Sequence, residues 1–176
     1  MLDDDDTLYD VGAGYGYNAA VARAASVPQG QLHLFEPDDR RLSVCADNHP
    51  DATVVGRVVG DGTDDGHTLD EYTATNPSPN VVTIDVEGAE VAVVRGARKM
   101  LADTHPTLFV EVHPALLEHR SESVTRLYET LDRHGYRVLV GNHRTYPMEW
   151  TTDRDDHPVS RQAELATYTV FARYDP

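Results

Sequence analysis

The sequence predicts an α/β fold with a mostly parallel, seven-stranded sheet and helices on both of its faces. Two observations predict this fold. Short apolar runs bounded by turn residues alternate along the chain with segments of helical periodicity, which is typical of strand–helix–strand units. The first apolar run then breaks into a glycine-rich turn, TLYDVGAGYGYNAA over 7–20, and glycines at such a turn let a ligand approach the backbone closely. With 176 residues the chain is long enough for one core, so we expect a single domain over 1–176.

Each predicted element follows from an apolar run or from helical spacing. Strands are expected at 7–11, 31–35, 53–59, 81–86, 107–112, 137–140 and 167–172. Helices are expected at 18–25, 40–48, 69–75, 90–102 and 123–134. The polar stretch 142–162 holds two prolines and shows no regular period, so it predicts an irregular surface excursion between the last two strands.

The charge balance of the chain is strongly acidic. Thirty Asp and Glu oppose fifteen Lys and Arg, and Lys99 is the one lysine. The resulting charge of −15 repels nucleic acid at low salt, so no nucleic-acid substrate is expected. At about 1 M salt the Debye length falls to roughly 3 Å, which makes the self-repulsion tolerable. The composition is therefore interpreted as that of a halophile; an acidic face for a basic partner is the alternative, disfavoured because the acids are scattered.

Targeting signals and cysteine pairs are not found in the sequence. No apolar run approaches the length of a membrane span, and the starting residues MLDDDD lack the basic and apolar regions of a signal peptide. Cys45 is the single cysteine, so no disulfide can form within the chain. We therefore expect a cytoplasmic protein without a membrane span.

The spacing of the glycines narrows the class of ligand. A dinucleotide fingerprint, G-x-G-x-x-G, would place its third glycine at position 17, which is Tyr17. Instead, three glycines alternate over 12–16 after Asp10. The next apolar run ends in Glu36, where α/β nucleotide-binding folds bind a ribose diol. The form D-x-G-x-G-x-G resembles the first motif of class I S-adenosylmethionine (SAM)-dependent methyltransferases.

Two later segments resemble one family of these enzymes. Residues 80–101 read NVVTIDVEGAEVAVVRGARKML, and 108–114 read LFVEVHP. They are similar to the FkbM family, whose fourth strand ends I-D-V-E-G-A-E before a helix with an R-G-A segment, and whose fifth strand carries E-x-H-P. The segment TLDEY over 68–72 also matches the family. The resemblance implies a class I methyltransferase-like three-layer sandwich, SAM as cofactor, and methyl transfer to a hydroxyl of a small molecule or glycan.

The resemblance also implies which residues bind the cofactor. The SAM loop falls on Asp10, Gly12, Gly14 and Gly16, with Glu36 at the ribose. Asp61 follows the third predicted strand, where such folds often contact adenine. All these residues are expected at the carboxyl ends of strands, which is where open α/β sheets bind ligands.

Four side chains are candidates for the chemistry. Methylation of a hydroxyl requires a group that removes its proton. Asp85 and Glu87 are expected on one face at the end of the fourth strand, and Glu111 and His113 share a face on the fifth. His113 is the preferred general base because its pKa lies near the working pH, and Asp85 is the second choice, as base or as orienter of the hydroxyl. The alternative for Glu87 and Glu90 is hydrogen bonding at a helix start.

Several alternatives stay open at this point. The four candidate side chains include metal-ligand types, but no compact metal-binding spacing supports a dedicated site, so no metal is expected. A SAM-binding but catalytically inert subunit of a larger methyltransferase assembly is the alternative function. An NAD-dependent oxidoreductase ranks third, because Tyr17 replaces the third glycine of the dinucleotide fingerprint.

The chain departs from the family pattern around the expected site. Family members typically carry a helical segment before the glycine loop, whereas the first strand here is predicted at 7–11, and the stretch 60–67 is short. We therefore expect an open site that an oligomer, a partner subunit, a large acceptor or the excursion helps to cover. Candidate contacts of the excursion to a sugar or an acidic group are His143, Arg144, Tyr146 and Trp150.

Overall fold

The computed structural model describes residues 3–63, 66–141, 150–152, 154 and 167–175. Its strands are β1 (Leu8–Val11), β2 (Leu32–Phe35), β3 (Thr53–Val55), β4 (Val81–Ile84), β5 (Thr107–Val112), β6 (Tyr136–Gly141), β7 (Trp150–Thr151) and β8 (Tyr168–Tyr174). Its helices are α1 (Tyr17–Ala24), α2 (Asp39–Asn48), α3 (Leu69–Thr73), α4 (Glu90–Arg95), α5 (Arg98–Thr104), α6 (Pro114–His119) and α7 (Val124–Arg133), and a 3₁₀ turn covers Gln29–Gln31.

The strands form one sheet in the order β3-β2-β1-β4-β5-β8-β6-β7. The pairs from β3 to β5 are parallel, whereas β8 runs antiparallel between β5 and β6. The strand order reverses between β1 and β4, and at such a switch point the carboxyl ends of the strands leave a crevice for a ligand. The predicted, mostly parallel α/β sheet is confirmed, and the short β7 adds an eighth strand.

Helices cover both faces of this sheet and give three layers. On one face, Ala19 and Ala22 of α1 and Cys45 of α2 pack against the leucines of β2. On the other face, α4, α5 and α7 pack on β4, β5 and β6, with Leu101 and Leu131 fully buried. Each helix therefore buries an apolar stripe against the sheet, which is what drives this layered arrangement.

The prediction of one helix over 90–102 is wrong, because α4 and α5 are separate helices that meet at Gly96–Ala97. A side chain at Gly96 would collide with the Gly60 backbone, so the glycine permits close approach of the loop after β3. The Asp70 carboxylate then accepts two amides in the first turn of α5, at 3.0 and 2.8 Å. The Asp70 amide also donates to the Gly96 carbonyl at 3.0 Å, so the TLDEY and RGA segments are joined by direct contact.

The other differences concern strand ends and one short helix. β3 ends at Val55, before Gly56, and Val59 pairs with His67 in an isolated bridge instead of extending the strand. The sequence pattern does not predict α6, since six residues are too few to show a helical period. Its start signal is Pro114 at the first helical position.

Two predictions about the chain's surroundings depend on what the structure describes. Within the described ranges, no helix combines the length and apolar character that crossing a bilayer requires. Of the candidate contacts in the excursion, His143, Arg144 and Tyr146 lie outside the described residues. Trp150 lies in β7, where its ring contacts Phe171 of β8.

Candidate functional site

A cavity of about 930 Å³ lies at the carboxyl ends of β1, β2 and β4 and continues along the sheet beside α1. Small-molecule sites typically measure roughly 300–1,000 Å³, so its size suits a cofactor with a small acceptor. Its lining includes the carboxylates of Glu36, Asp85 and Glu111, together with Phe109 on β5 and Thr169 on β8. The cavity therefore coincides with the switch point of the sheet.

Two glycines of the loop after β1 form part of the cavity wall. Gly12 and Gly14 have φ angles of 87° and 56°, in the left-handed region that favours glycine. A side chain at Gly12 would collide with the Asp85 carbonyl, whereas one at Gly14 would meet nothing within 4 Å. Gly12 thus lets the loop contact the end of β4, and Gly14 leaves the cavity wall bare.

The third glycine contacts the end of α2 instead of the cavity. The buried His49 donates from Nε2 to the Gly16 carbonyl at 2.9 Å, and Asn48 donates to the Tyr15 carbonyl at 3.1 Å. A side chain at Gly16 would collide with the His49 imidazole. The geometry therefore gives Gly16 a packing role, and the expected direct contact of Gly16 with the cofactor has no support from it.

Glu36 is a buried carboxylate that lines the cavity, and only 2% of the residue is exposed. Its Oε2 accepts the Gly14 amide and its Oε1 the Asp38 amide, both at 2.9 Å. A carboxylate offers about four acceptor positions, so two are used by the protein and the others remain for hydroxyl donors. The acid that the sequence predicts for a ribose is thus held rigidly at the wall.

Asp10 lies beneath the glycine loop and is fully buried. Its Oδ1 accepts from the Thr83 hydroxyl at 2.6 Å and from the Asn18 amide at 3.0 Å. Burial raises the pKa of Asp10, and these two hydrogen bonds oppose the rise. Because Asp10 joins β1, β4 and α1 without lining the cavity, the structure gives it a supporting role under the loop.

Asp61 does not line the cavity either. Its carboxylate accepts from the Thr63 hydroxyl at 2.6 Å and binds the Arg95 guanidinium at 2.8 Å. The hydrogen bond from Thr63, followed by the one from Arg95, holds the pKa of Asp61 below its usual value despite partial burial. Since Arg95 also binds Glu122 at 2.6 Å, Asp61 belongs to an ion-pair network, and we do not retain it as a cofactor contact.

Three of the four predicted catalytic side chains meet at the edge of the cavity. The Nε2 of His113 lies 3.7 Å from Asp85 Oδ1 and 3.9 Å from Glu111 Oε1. Asp85 and Glu111 line the cavity, whereas the His113 side chain is 12% exposed and lies behind them. Glu87 lines the cavity without entering this cluster. In the part of the chain that the structure describes, no group of three His, Cys, Asp or Glu is arranged to hold a metal ion.

Behind His113 lies Glu90, a residue that sequence reasoning assigned to a helix start. Glu90 is fully buried, and its Oε1 lies 2.6 Å from His113 Nδ1. The same oxygen accepts the Gly88 amide at 3.1 Å, so the expected contact at the start of α4 is also present. Sequence reasoning did not predict the contact with His113, because it joins residues 23 positions apart. The signal that could have indicated it is that Glu90 follows β4 and His113 follows β5, which are neighbouring strands of the sheet.

The charges in this cluster shift one another's protonation. Burial raises the pKa of Asp85 to about 6, the negative charge of Glu111 adds to the rise, and His113 opposes it. Burial lowers the pKa of His113, but the hydrogen bond and charge of Glu90, with Asp85 and Glu111, outweigh burial and leave that pKa above its usual value. Asp85 therefore changes charge at a pH of about 6. The neighbouring His113 ring is stabilised as the positively charged imidazolium.

Comparison with known proteins identifies the methyltransferase fold. Residues 53–138 match the model of the Methyltransferase FkbM domain. No curated protein matches the chain in sequence. Among solved structures, Methyltransferase FkbM from Methylobacillus flagellatus is similar with a TM-score of 0.68 and 20% identity, over 97% of this chain and 44% of that chain. This chain thus spans less than half the length of that protein.

Two further structures share the fold at low identity. A SAM-dependent O-methyltransferase from Thermotoga maritima has a TM-score of 0.59 at 14% identity, over 99% of this chain and 61% of that one. Fibrillarin from Aeropyrum pernix, solved with natively bound SAM, has a TM-score of 0.59 at 16% identity, over 97% of this chain and 67% of that one. The shared feature is the sheet with helices on both faces.

Proposed function

We propose that this chain, whose residues 53–138 match the model of the Methyltransferase FkbM domain, is a SAM-dependent methyltransferase of that family and transfers the methyl group of SAM to a hydroxyl oxygen of a small molecule or glycan. SAM is its cofactor, in keeping with the family and with the SAM-bound fold of fibrillarin. The observation that carries the hydroxyl proposal is a single cavity lined both by the buried acid Glu36 and by the carboxylates Asp85 and Glu111.

The residues of the cavity fit the polar and apolar parts of SAM. We assign the ribose hydroxyls to Glu36, because two acceptor positions of its carboxylate remain available. The bare wall at Gly14 leaves room for the cofactor, and the apolar side chains of Val58 and Val59 line the same cavity and suit a base ring. When bound, SAM supplies a methyl group on a positively charged sulfur.

We assign the general base to Asp85 in place of His113. A hydroxyl must lose its proton when its oxygen is methylated, and the base must lie within hydrogen-bond reach of it. Asp85 lines the cavity and has a pKa of about 6, so it is ionised at neutral pH yet more basic than an ordinary aspartate. Glu111 lines the same cavity, and its Oε1 lies 3.9 Å from His113 Nε2. His113 then supports Asp85 from behind.

The test is transfer of a labelled methyl group from SAM to a panel of neutral sugars, catechol and a glycan extract, at about 2 M KCl to screen the acidic surface. The account predicts a labelled O-methyl product whose formation resists EDTA and disappears in Asp85→Asn, while SAM binding is kept. SAM binding without transfer to any acceptor would favour an inert subunit. Labelling at nitrogen or carbon, or equal activity in D85N, would contradict the proposal.

A further inference from the structure

We propose that Glu90 is a positioning residue that, through the His113 imidazole, keeps Asp85 ionised at the cavity. The inference rests on the proposed function of Asp85 as general base. It assigns a role to a buried acid that the helix start alone does not require. The three side chains lie in series from the interior of the protein to the cavity, with contacts of 2.6 and 3.7 Å.

The first step of the argument is the orientation of the imidazole. A carboxylate only accepts hydrogen bonds, so His113 Nδ1 carries the proton that faces Glu90. Its Nε2 then faces Asp85 and Glu111, at 3.7 and 3.9 Å. The 2.6 Å contact between Glu90 and His113 is short, as is typical of a charge-assisted hydrogen bond. Glu90 thus fixes both the tautomer and the direction of the ring.

The second step concerns the charge of Glu90. The residue is fully buried on α4, and its Oε2 has no hydrogen-bond partner among the described residues. A buried carboxylate is costly unless a positive charge compensates it. Within the described ranges, the group that can provide this charge at hydrogen-bond distance is the imidazolium of His113. An apolar side chain would fill the same position in the core at a lower free-energy cost. Packing alone therefore does not explain an acid at this position.

The third step passes this effect to Asp85. Burial, and after it the charges of Glu111, Glu87 and Asp10, favour the neutral form of Asp85, and the charge of His113 opposes them. Three carboxylates face the imidazole, namely Asp85 after β4, Glu111 on β5 and Glu90 on α4. On β8, burial and then the neighbouring Tyr128 raise the pKa of Tyr168, and the charge of Glu90 adds to the rise; the hydroxyls of Tyr168 and of Tyr128 on α7 lie 3.1 Å apart. Loss of the Glu90 charge would therefore weaken the imidazolium and make Asp85 harder to ionise.

The experiment compares wild type with Glu90→Gln by NMR titration of the His113 ring and the Asp85 carboxyl, with no acceptor needed. Gln keeps an oxygen for Nδ1 and for the Gly88 amide but removes the charge. An opposite charge at this range shifts a pKa by about 1–3 units, so we expect the His113 pKa to fall by at least about one unit and that of Asp85 to rise. Unchanged values in E90Q would overturn the inference.

A matched control and a second variant keep the test decisive. Glu122→Gln removes a carboxylate that pairs with Arg95 and Arg126, and is expected to leave both titrations unchanged. An equal shift in E122Q would reveal a general structural effect and refute the inference. If E90Q does not fold, the Asp85 pKa is measured in His113→Gln instead. Loss of the imidazolium must raise that pKa, and an unchanged Asp85 pKa would refute the coupling.

Failure of this inference and failure of the proposed function give different results. Calorimetry of SAM binding is expected to give the same affinity in E90Q as in wild type, because Glu90 does not line the cavity. Absence of SAM binding in wild type would defeat the proposed function whatever the titrations show. Normal SAM binding with no shift of His113 in E90Q would defeat the Glu90 inference alone.

Discussion

The loop after β1 offers a matched pair of substitutions that separates packing from ligand binding. Gly12 and Gly14 both have positive φ, so alanine at either position costs roughly 1–2 kcal/mol in backbone strain. At Gly12 the new methyl group would also collide with the Asp85 carbonyl, and overpacking of this kind costs a further ~1–3 kcal/mol. Gly12→Ala should therefore destabilise the protein by about 2–5 kcal/mol, and Gly14→Ala by about 1–2 kcal/mol.

Urea unfolding and calorimetric titration with SAM measure the two effects on the same variants. In G14A the added methyl group lies at the open cavity wall. We therefore expect G14A to bind SAM more weakly than wild type, although its loss of folding stability is small. Equal destabilisation by G12A and G14A would refute the contact between the loop and the end of β4. Undiminished SAM affinity in G14A would refute the assignment of Gly14 to the cofactor wall.

The remaining predictions address the acids and the salt dependence. Glu36→Gln should weaken SAM binding ~10–100-fold in calorimetry, since hydrogen bonds to a charged group contribute roughly 1.5–3 kcal/mol, whereas Asp61→Asn, outside the cavity, should leave the affinity unchanged. Methyl transfer should rise with pH through about 6 as Asp85 ionises. The pKa of Asp85 in the folded protein lies above its value in the unfolded chain. The stability that protonated Asp85 contributes at low pH is therefore lost as the pH rises through about 6. Chemical unfolding at pH 7 should then show D85N to be more stable than wild type. With a net charge of −15, the melting temperature should rise with KCl between about 0.1 and 2 M; a flat or falling response would contradict the halophile interpretation.

The fold could be predicted because its signals are local. Alternating apolar runs and helical segments gave every strand except the short β7, since a buried parallel strand is apolar along its whole length. The split between α4 and α5 could not be predicted in this way. It depends on the approach of the Gly60 backbone to Gly96 and on the capping of α5 by Asp70, and both contacts join residues far apart in the sequence.

The candidate site shows the same division. The carboxyl ends of parallel strands meet at one edge, so Glu36, Asp85 and Glu111 could be expected around one cavity, and the structure brings them there. Which side chain faces the ligand depends on three-dimensional packing. Sequence spacing therefore gave no warning that Asp61 pairs with Arg95, or that His113 lies behind Asp85.

The central claim is that the cavity at the β1–β4 switch point binds SAM with the Glu36 carboxylate at its wall. Titration calorimetry of the wild-type chain with SAM, and separately with NAD, at about 2 M KCl tests it directly. The account predicts saturable binding of SAM at one site per chain and no comparable binding of NAD. Tight binding of NAD with no heat from SAM would contradict it.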